Sequence, residues 1–304
     1  MKIDELRKDV NLKNYNTLRV SSTVQYFFEA KSRKDLIEIY KLAKKENLLI
    51  TMFGGGSNIA ISSKYIKGII VKNNYIYKKL LKEDNKSSIY LVSSGYPTSK
   101  LIYETVDAGL SGLEYHKGLP GTVGGAIYMN SKWLNPPSYF GDNVIAAYLL
   151  DENCNVKKIK REYFNFSYDY SILHETKEVL LEVIFKFKKS DKKSLKNKSE
   201  KSFIYRKETQ PFSVATSGCF FRNISEKEKK LHDLPTTSAG YIIDKCGLKG
   251  KSIGGFVISK NHANFIINTK EGKPDDLKKI IDLIKSEVRK KFNINLKEEV
   301  VILD

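Results

Sequence analysis

Two glycine-dense segments constrain this chain more than any other feature. Gly54-Gly55-Gly56-Ser57-Asn58 follows the apolar run Leu48 to Phe53 and precedes a second run, Gly68-Ile69-Ile70-Val71. Gly118-Leu119-Pro120-Gly121-Thr122-Val123-Gly124-Gly125-Ala126 sets four glycines in nine residues. Glycine adopts positive φ and carries no side chain, so successive N–H groups can converge on an anion such as a pyrophosphate, or the backbone can press against a flat ligand. Taken singly, each segment also reads as a tight turn or a close-packed buried loop. Together they favour an extended dinucleotide. Neither is a P-loop, since no G-K-[ST] ending follows, and neither is a G-x-G-x-x-G fingerprint opening a helix.

The segments sit in an alternation of helices and strands. Ser32-x-x-Asp35 is a capping-box pattern ahead of Leu36, Ile39, Tyr40 and Ala43, apolar at helical spacing, and predicts an amphipathic helix. A largely polar stretch from about residue 73 to Ser88 separates the Gly68 strand from another at Ile89 to Ser94. Pro97 then opens a helix with Leu101, Ile102, Thr105 and Val106 inward and Gly109 as its stop. Val144 to Leu150 and Val179 to Phe187 predict further strands. The run KKSDKKSLKNKSEKS, Lys188 to Ser202, reads as a solvated linker or loop. Beyond it come a strand at His262 to Asn268 and a helix after Pro274 with Leu277, Ile280, Ile281, Ile284 and Val288 on one face. A strand, Val300 to Leu303, ends the chain. This alternation indicates an α+β or α/β enzyme.

At 304 residues, with 41% hydrophobic and 11% aromatic content, the chain can bury a core for two or three compact units, and disorder is excluded. Nowhere do about 18 uncharged apolar residues run together, and the amino terminus has no apolar leader, so a cytoplasmic protein is expected. Cys154, Cys219 and Cys246 form no C-x-x-C pair, and His116, His174, His232 and His262 form no H-x-x-x-H pair. This speaks against a disulfide framework, a thiolate metal site and a zinc hydrolase, and leaves an organic cofactor as the expectation. The net charge of +18 raises nucleic acid or a membrane surface as partners. The excess is mostly lysine, spread along the chain, without the interleaved arginines and aromatics of a single-strand binder. It reads as a lysine-rich surface that helps attract an anionic substrate.

These residues form a familiar set. Gly54 to Asn58, Ser111-Gly112-Leu113-Glu114-Tyr115, Gly118 to Ala126 and Met129-Asn130 resemble the FAD-binding half of the UDP-N-acetylenolpyruvoylglucosamine reductase (MurB) family. Gln210-Pro211, Gly218-Cys219-Phe220-Phe221-Arg222-Asn223, Ala239 to Asp244, Gly247 to Gly250, His262 to Asn268 and Leu296 to Val300 continue the match in family order. The resemblance implies an α+β fold with a two-part FAD-binding region of the PCMH/vanillyl-alcohol-oxidase type and a C-terminal α/β substrate domain. Its expected parts are residues 1–72 with the final strand 293–304, residues 73–187, a linker at 188–208 and the substrate domain at 209–292. It implies an NADPH-dependent flavoprotein oxidoreductase that reduces UDP-N-acetylenolpyruvoylglucosamine to UDP-N-acetylmuramate in peptidoglycan synthesis. A monomer is expected, with no metal, nucleic-acid or membrane partner.

By the same resemblance, FAD is expected against Gly54, Gly55, Gly56, Ser57, Asn58, Gly118, Gly121, Thr122, Gly124, Gly125 and Ala126. Cys219 stands where the family's G-S-x-F-K-N motif has a serine proton donor. A thiol, with an ordinary pKa of about 8.5, is a chemically permissible donor. Glu299 matches the glutamate of L-x-x-E-V, while Glu298 is one residue out of register. Arg206, Lys207, Arg222 and Asn223 are expected on the UDP diphosphate. His262 and Asn264 read either as ligand contacts or as packing and backbone support.

Three departures stand out. In Phe166-Ser167-Tyr168-Asp169-Tyr170-Ser171, Asp169 replaces the catalytic arginine of the F-x-Y-R-x-S pattern. Either another cation, such as Arg206 or Arg222, reaches the site, or the chain keeps the fold and FAD with catalysis lost or altered. After Asn130, the family's short A-G-A-Y-G gives way to Ser131 to Gly141, a longer loop holding Trp133, which suits a flavin cover or a contact surface. Little chain separates Phe187 from Arg206, so the tyrosine-bearing loop of type I members is missing and type II is implied.

Overall fold

The computed structural model describes every residue from Met1 to Asp304. It divides into two compact units, one made of Met1–Arg7, Tyr26–Gly55 and Gly68–Arg206, the other of Lys8–Gln25, Gly56–Lys67 and Lys207–Asp304. No helix is long and apolar enough to cross a membrane.

In the first unit, Ser32 caps the helix Arg33–Lys45 by accepting the Asp35 N–H at 3.1 Å, and the Asp35 carboxylate accepts the Lys31 N–H at 2.8 Å. Such a cap satisfies donors that the first helical turn leaves unpaired, and stabilises by about 1 kcal/mol. Leu36, Ile39, Leu42 and Ala43 turn inward, into a cluster with Ile69, Val71 and Leu181. Ile50–Phe53 follows, parallel to Tyr65–Asn73, with Ile50 opposite Ile69 and Phe53 opposite Lys72. The first glycine loop begins where this short strand ends.

The same unit contains a six-stranded antiparallel sheet in the order Val156–Lys160, Val144–Leu150, Val179–Lys189, Ser87–Ser93, Lys78–Glu83, with Leu110–Ser111 also on Val179–Lys189. The central strand is buried continuously from Val179 to Phe185 because apolar clusters cover both its faces. Glu182 is tolerated there because Tyr75 Oη donates to it at 2.5 Å and Arg33 pairs with it at 3.1 Å.

Two expectations are corrected. The polar stretch before Ser88 holds a strand, Lys78–Glu83, whose residues after Lys78 are all exposed. An edge strand without a buried face has no alternation for the sequence to display. The lysine-rich run expected to be a linker is the helix Lys192–Thr209. Asp191 accepts the Ser194 N–H at 2.7 Å at its start, and its buried side is Leu195, Ser199 and Ser202. One leucine and two serines make almost no apolar period, so the helix is hidden in the charge pattern.

The second unit carries an antiparallel sheet in the order Thr216–Cys219, Phe265–Asn268, Phe256–Ile258, Ser252–Ile253, with Cys219 opposite Phe265. The helix Pro274–Phe292 buries Leu277, Ile280, Ile281, Ile284 and Val288. Pro274, Asp275 and Asp276 in its first turn and Arg289 to Lys291 in its last suit the two ends of the helix dipole. Each of those apolar side chains contributes about 2 kcal/mol by leaving water, so a charge at Ile280 would detach the helix. Val301–Leu303 runs parallel to Ile59–Ile61, with Val301 opposite Ile59.

Candidate active site

In the first unit the two glycine segments touch. A Cβ on Gly54 would overlap Thr122 Oγ1, and one on Gly55 would stand 2.5 Å from Gly121 Cα, so contact between the segments itself demands glycine there. No backbone carbonyl accepts the N–H groups of Gly54 or Gly55. Thr122 caps the short helix Val123–Tyr128, and the Val123 and Gly124 N–H groups go to Tyr96 O and Ser94 O at 2.9 and 2.7 Å. Gly125 is different. It is exposed, and an added Cβ would meet only Thr122 Oγ1, at 3.8 Å. Packing does not require glycine at 125, and the open face beside it, next to buried Ala126, fits a flat ligand.

Sequence reasoning missed Lys72, whose ammonium donates to the Gly54 carbonyl. Burial draws its pKa below the ordinary lysine value, with Glu29 opposing that shift. The signal was a lysine at the end of the apolar run Gly68 to Val71.

Ser131 to Gly141 is ordered as a hairpin, Lys132–Leu134 against Pro137–Tyr139. Asn130 clamps it, accepting the Gly141 N–H at 3.2 Å while donating to Ser167 O at 3.0 Å. Asp169 is 2% exposed, and the cation that meets it is Lys132 of the hairpin. Arg206, one of the two arginines expected near Asp169, lies over the Trp133 ring at 5.4 Å and packs on Gly118, where a Cβ would stand 3.1 Å from Arg206 Cδ. His116 is fully buried, with Nε2 at 3.2 Å from Ser138 Oγ. Burial, assisted by the Arg206 charge, pushes its pKa down to about 4.

In the second unit Cys219 ends a strand directly after Gly218, whose φ of +82° explains the glycine without any crowding. The Phe220 carbonyl accepts the Glu299 N–H at 2.8 Å and the Lys297 carbonyl accepts the Arg222 N–H at 2.9 Å, so the Cys219 and Glu299 segments run side by side. Asn58 donates to Glu299 O at 3.2 Å and accepts the Val301 N–H at 2.9 Å. Asn264, 3% exposed, accepts the Phe221 N–H at 2.9 Å, donates to Phe221 O at 2.8 Å, and receives the Phe220 N–H on its own carbonyl. It supports the strand that continues Cys219. His262 does the same for Asn264, whose N–H it accepts at 3.3 Å, and packs edge-on to Phe265.

Glu298 pairs with Lys285 at 2.7 Å. Asn223 Oδ1 accepts the Ala239 N–H at 3.1 Å at the start of the helix Ala239–Lys245. Arg222 Nε is buried and has no acceptor. Lys207 lies 5.5 Å from the Phe212 ring centroid. Arg206 belongs to the first unit, and Lys207, Arg222 and Asn223 to the second.

Residues 210–303 match the family model for the C-terminal domain of UDP-N-acetylenolpyruvoylglucosamine reductase, and residues 24–160 match an FAD binding domain. The chain is 36% identical to the UDP-N-acetylenolpyruvoylglucosamine reductase of Caldicellulosiruptor bescii, over 97% of this chain and 90% of that one. The chain belongs to the UDP-N-acetylenolpyruvoylglucosamine reductase family. A second reductase, from Halalkalibacterium halodurans, is 32% identical over 100% of this chain and 96% of its own. The crystal structure of the MurB reductase of Thermus caldophilus superposes with a TM-score of 0.78 at 26% identity, covering 98% of this chain and all of that one. The α+β class and the FAD-binding region ahead of a C-terminal domain hold as expected. FAD is the cofactor of this family, and the residues fit it: the backbone N–H groups of Gly54 and Gly55 suit its diphosphate, and the open face at Gly125 suits a flat ring.

Proposed function

We propose that this chain reduces UDP-N-acetylenolpyruvoylglucosamine to UDP-N-acetylmuramate with NADPH, as a monomeric, cytoplasmic, type II reductase of peptidoglycan precursor synthesis. The observation that carries this reading is the backbone pairing that seats the Cys219 segment against Glu299 in a chain with full-length likeness to the reductases.

FAD, when bound, supplies the hydride that it takes from NADPH. In this reading Gly54 and Gly55 direct N–H groups at its diphosphate, and Gly118, Gly121, Thr122, Gly124, Gly125 and Ala126 give it a surface nearly free of side chains. Hydride addition at C3 of the enolpyruvyl group moves the C2=C3 electron pair onto C2 and the carboxylate. The Cys219 thiol then gives its proton to C2, and a solvent proton restores the thiol. Glu299 is the supporting charged residue. Within the second unit, Arg222, with its unpartnered Nε, Asn223 and Lys207 hold the UDP diphosphate by charge-assisted hydrogen bonds.

The rival reading, an FAD binder with catalysis lost or altered, rests on Asp169 standing where the family has its catalytic arginine; the ion pair with Lys132 brings a cation to that position. Purified protein is expected to show flavin absorbance and to oxidise NADPH only when the enolpyruvyl UDP-sugar is present. No sugar-dependent oxidation would sink the proposal.

A further inference from the structure

Asp169 is a carboxylate taken out of water and held at φ +51°, a left-handed conformation that costs a non-glycine residue about 1 kcal/mol. One of its oxygens is ion-paired with Lys132, whose side chain is itself only 13% exposed. The other, Oδ2, is buried and accepts from nothing. A buried pair with half its carboxylate unsatisfied does not help folding, because desolvation outweighs an incomplete set of contacts. Such a group calls for another explanation.

The surroundings hold the pair in place. The Lys132 ammonium lies 4.0 Å from the Tyr168 ring centroid. Asn130 ties the far end of the hairpin at Gly141 to Ser167, and Ser171 Oγ donates to Tyr128 O at 2.8 Å. The pair therefore sits at the carboxyl end of the helix Val123–Tyr128, whose first turn carries the open face at Gly125. At 1.5 Å rise per residue that helix is about 9 Å long, so the pair and the open face lie at its two ends.

Hydride addition leaves negative charge on C2 and the carboxylate of the substrate, and a fixed cation at that point lowers the barrier. Of the cations around the glycine segments, Lys72 is committed to the Gly54 carbonyl and Arg206 is stacked on Trp133. Lys132 is held by a buried carboxylate on a clamped turn. We propose that Lys132 is a catalytic cation of this reductase and Asp169 its positioning residue, an inference that rests on the function proposed above.

The test compares wild type with Lys132→Met, Lys132→Arg and the double variant Lys132→Met/Asp169→Asn, which leaves no carboxylate buried alone. Stopped flow times flavin reduction by NADPH and flavin reoxidation by the enolpyruvyl UDP-sugar separately, and calorimetry measures binding of the product, UDP-N-acetylmuramate, to the oxidised proteins. Flavin is expected to stay bound, and reoxidation to fall by about a hundredfold in both Met variants. The NADPH phase is expected to change far less, product affinity to fall by less than about tenfold, and Lys132→Arg to recover much of the loss. Wild-type reoxidation in either Met variant overturns the proposal. So does equal loss in both phases, or loss of flavin from both Met variants, the marks of a merely structural pair. A wild-type flavin that the sugar does not reoxidise overturns the functional reading itself, and the role of Lys132 with it.

Discussion

Phe220 accepts the Glu299 N–H at 2.8 Å, so the residue next to the candidate proton donor is hydrogen-bonded to the candidate glutamate near the chain end. If Cys219 gives the proton, Cys219→Ser should keep turnover and Cys219→Ala should lower it by about 10² to 10³. Glu299→Gln should also lose turnover while flavin stays bound. Steady-state NADPH oxidation with the sugar checks both, and an active Cys219→Ala protein would remove the thiol from the mechanism.

Asn264 holds the strand after Cys219 through the Phe221 backbone, on a residue with no exposure. Asn264→Ala should strand both backbone groups of Phe221 and cost about 3 kcal/mol of stability. Urea unfolding measures this, and an unchanged midpoint would contradict the supporting role.

Gly55 and Gly125 are predicted to separate packing from ligand contact. Gly55→Ala puts a methyl 2.5 Å from Gly121 Cα and should destabilise the protein with or without flavin. Gly125→Ala meets open space, and in a helix it should be neutral or stabilise the flavin-free protein by about 1 kcal/mol, yet weaken flavin binding. Melting temperatures of both forms, with the absorbance of bound flavin, decide the matter. Full flavin affinity in Gly125→Ala would move the cofactor off that face.

His116 gives a pH dependence of defined sign. Its imidazole titrates near 6.5 when unfolded and near 4 when folded, because burial disfavours the cation. Between those values the unfolded chain binds more protons, so stability is full above pH 6.5 and is lost as the pH falls toward 4. The loss from this one residue at pH 5 is about 2 kcal/mol. His116→Gln should flatten the thermal-melt profile between pH 7 and 5, and an equally steep profile would assign the effect elsewhere.

Much of the fold was legible because its signals are local. The Ser32 cap, the Pro274 start and the apolar faces of both helices appear in the structure where the spacing put them. The helix Lys192–Thr209 was not legible, because it buries serines, and neither was the edge strand Lys78–Glu83, because it buries almost nothing.

The candidate site divides in the same way. The glycine segments, Cys219, Glu299 and the reversed charge at Asp169 were visible in the sequence as residue types in order. That Gly55 rests on Gly121, that Asn58 and Asn264 brace the strands around Glu299 and Cys219, and that Lys132 answers Asp169 needed the folded chain. Motif order and periodicity determined by themselves the family, the cofactor class and the helices with clear apolar faces. Only tertiary structure decided which charges meet and which glycines face open space, because these depend on strand register and hairpin placement between residues distant in sequence.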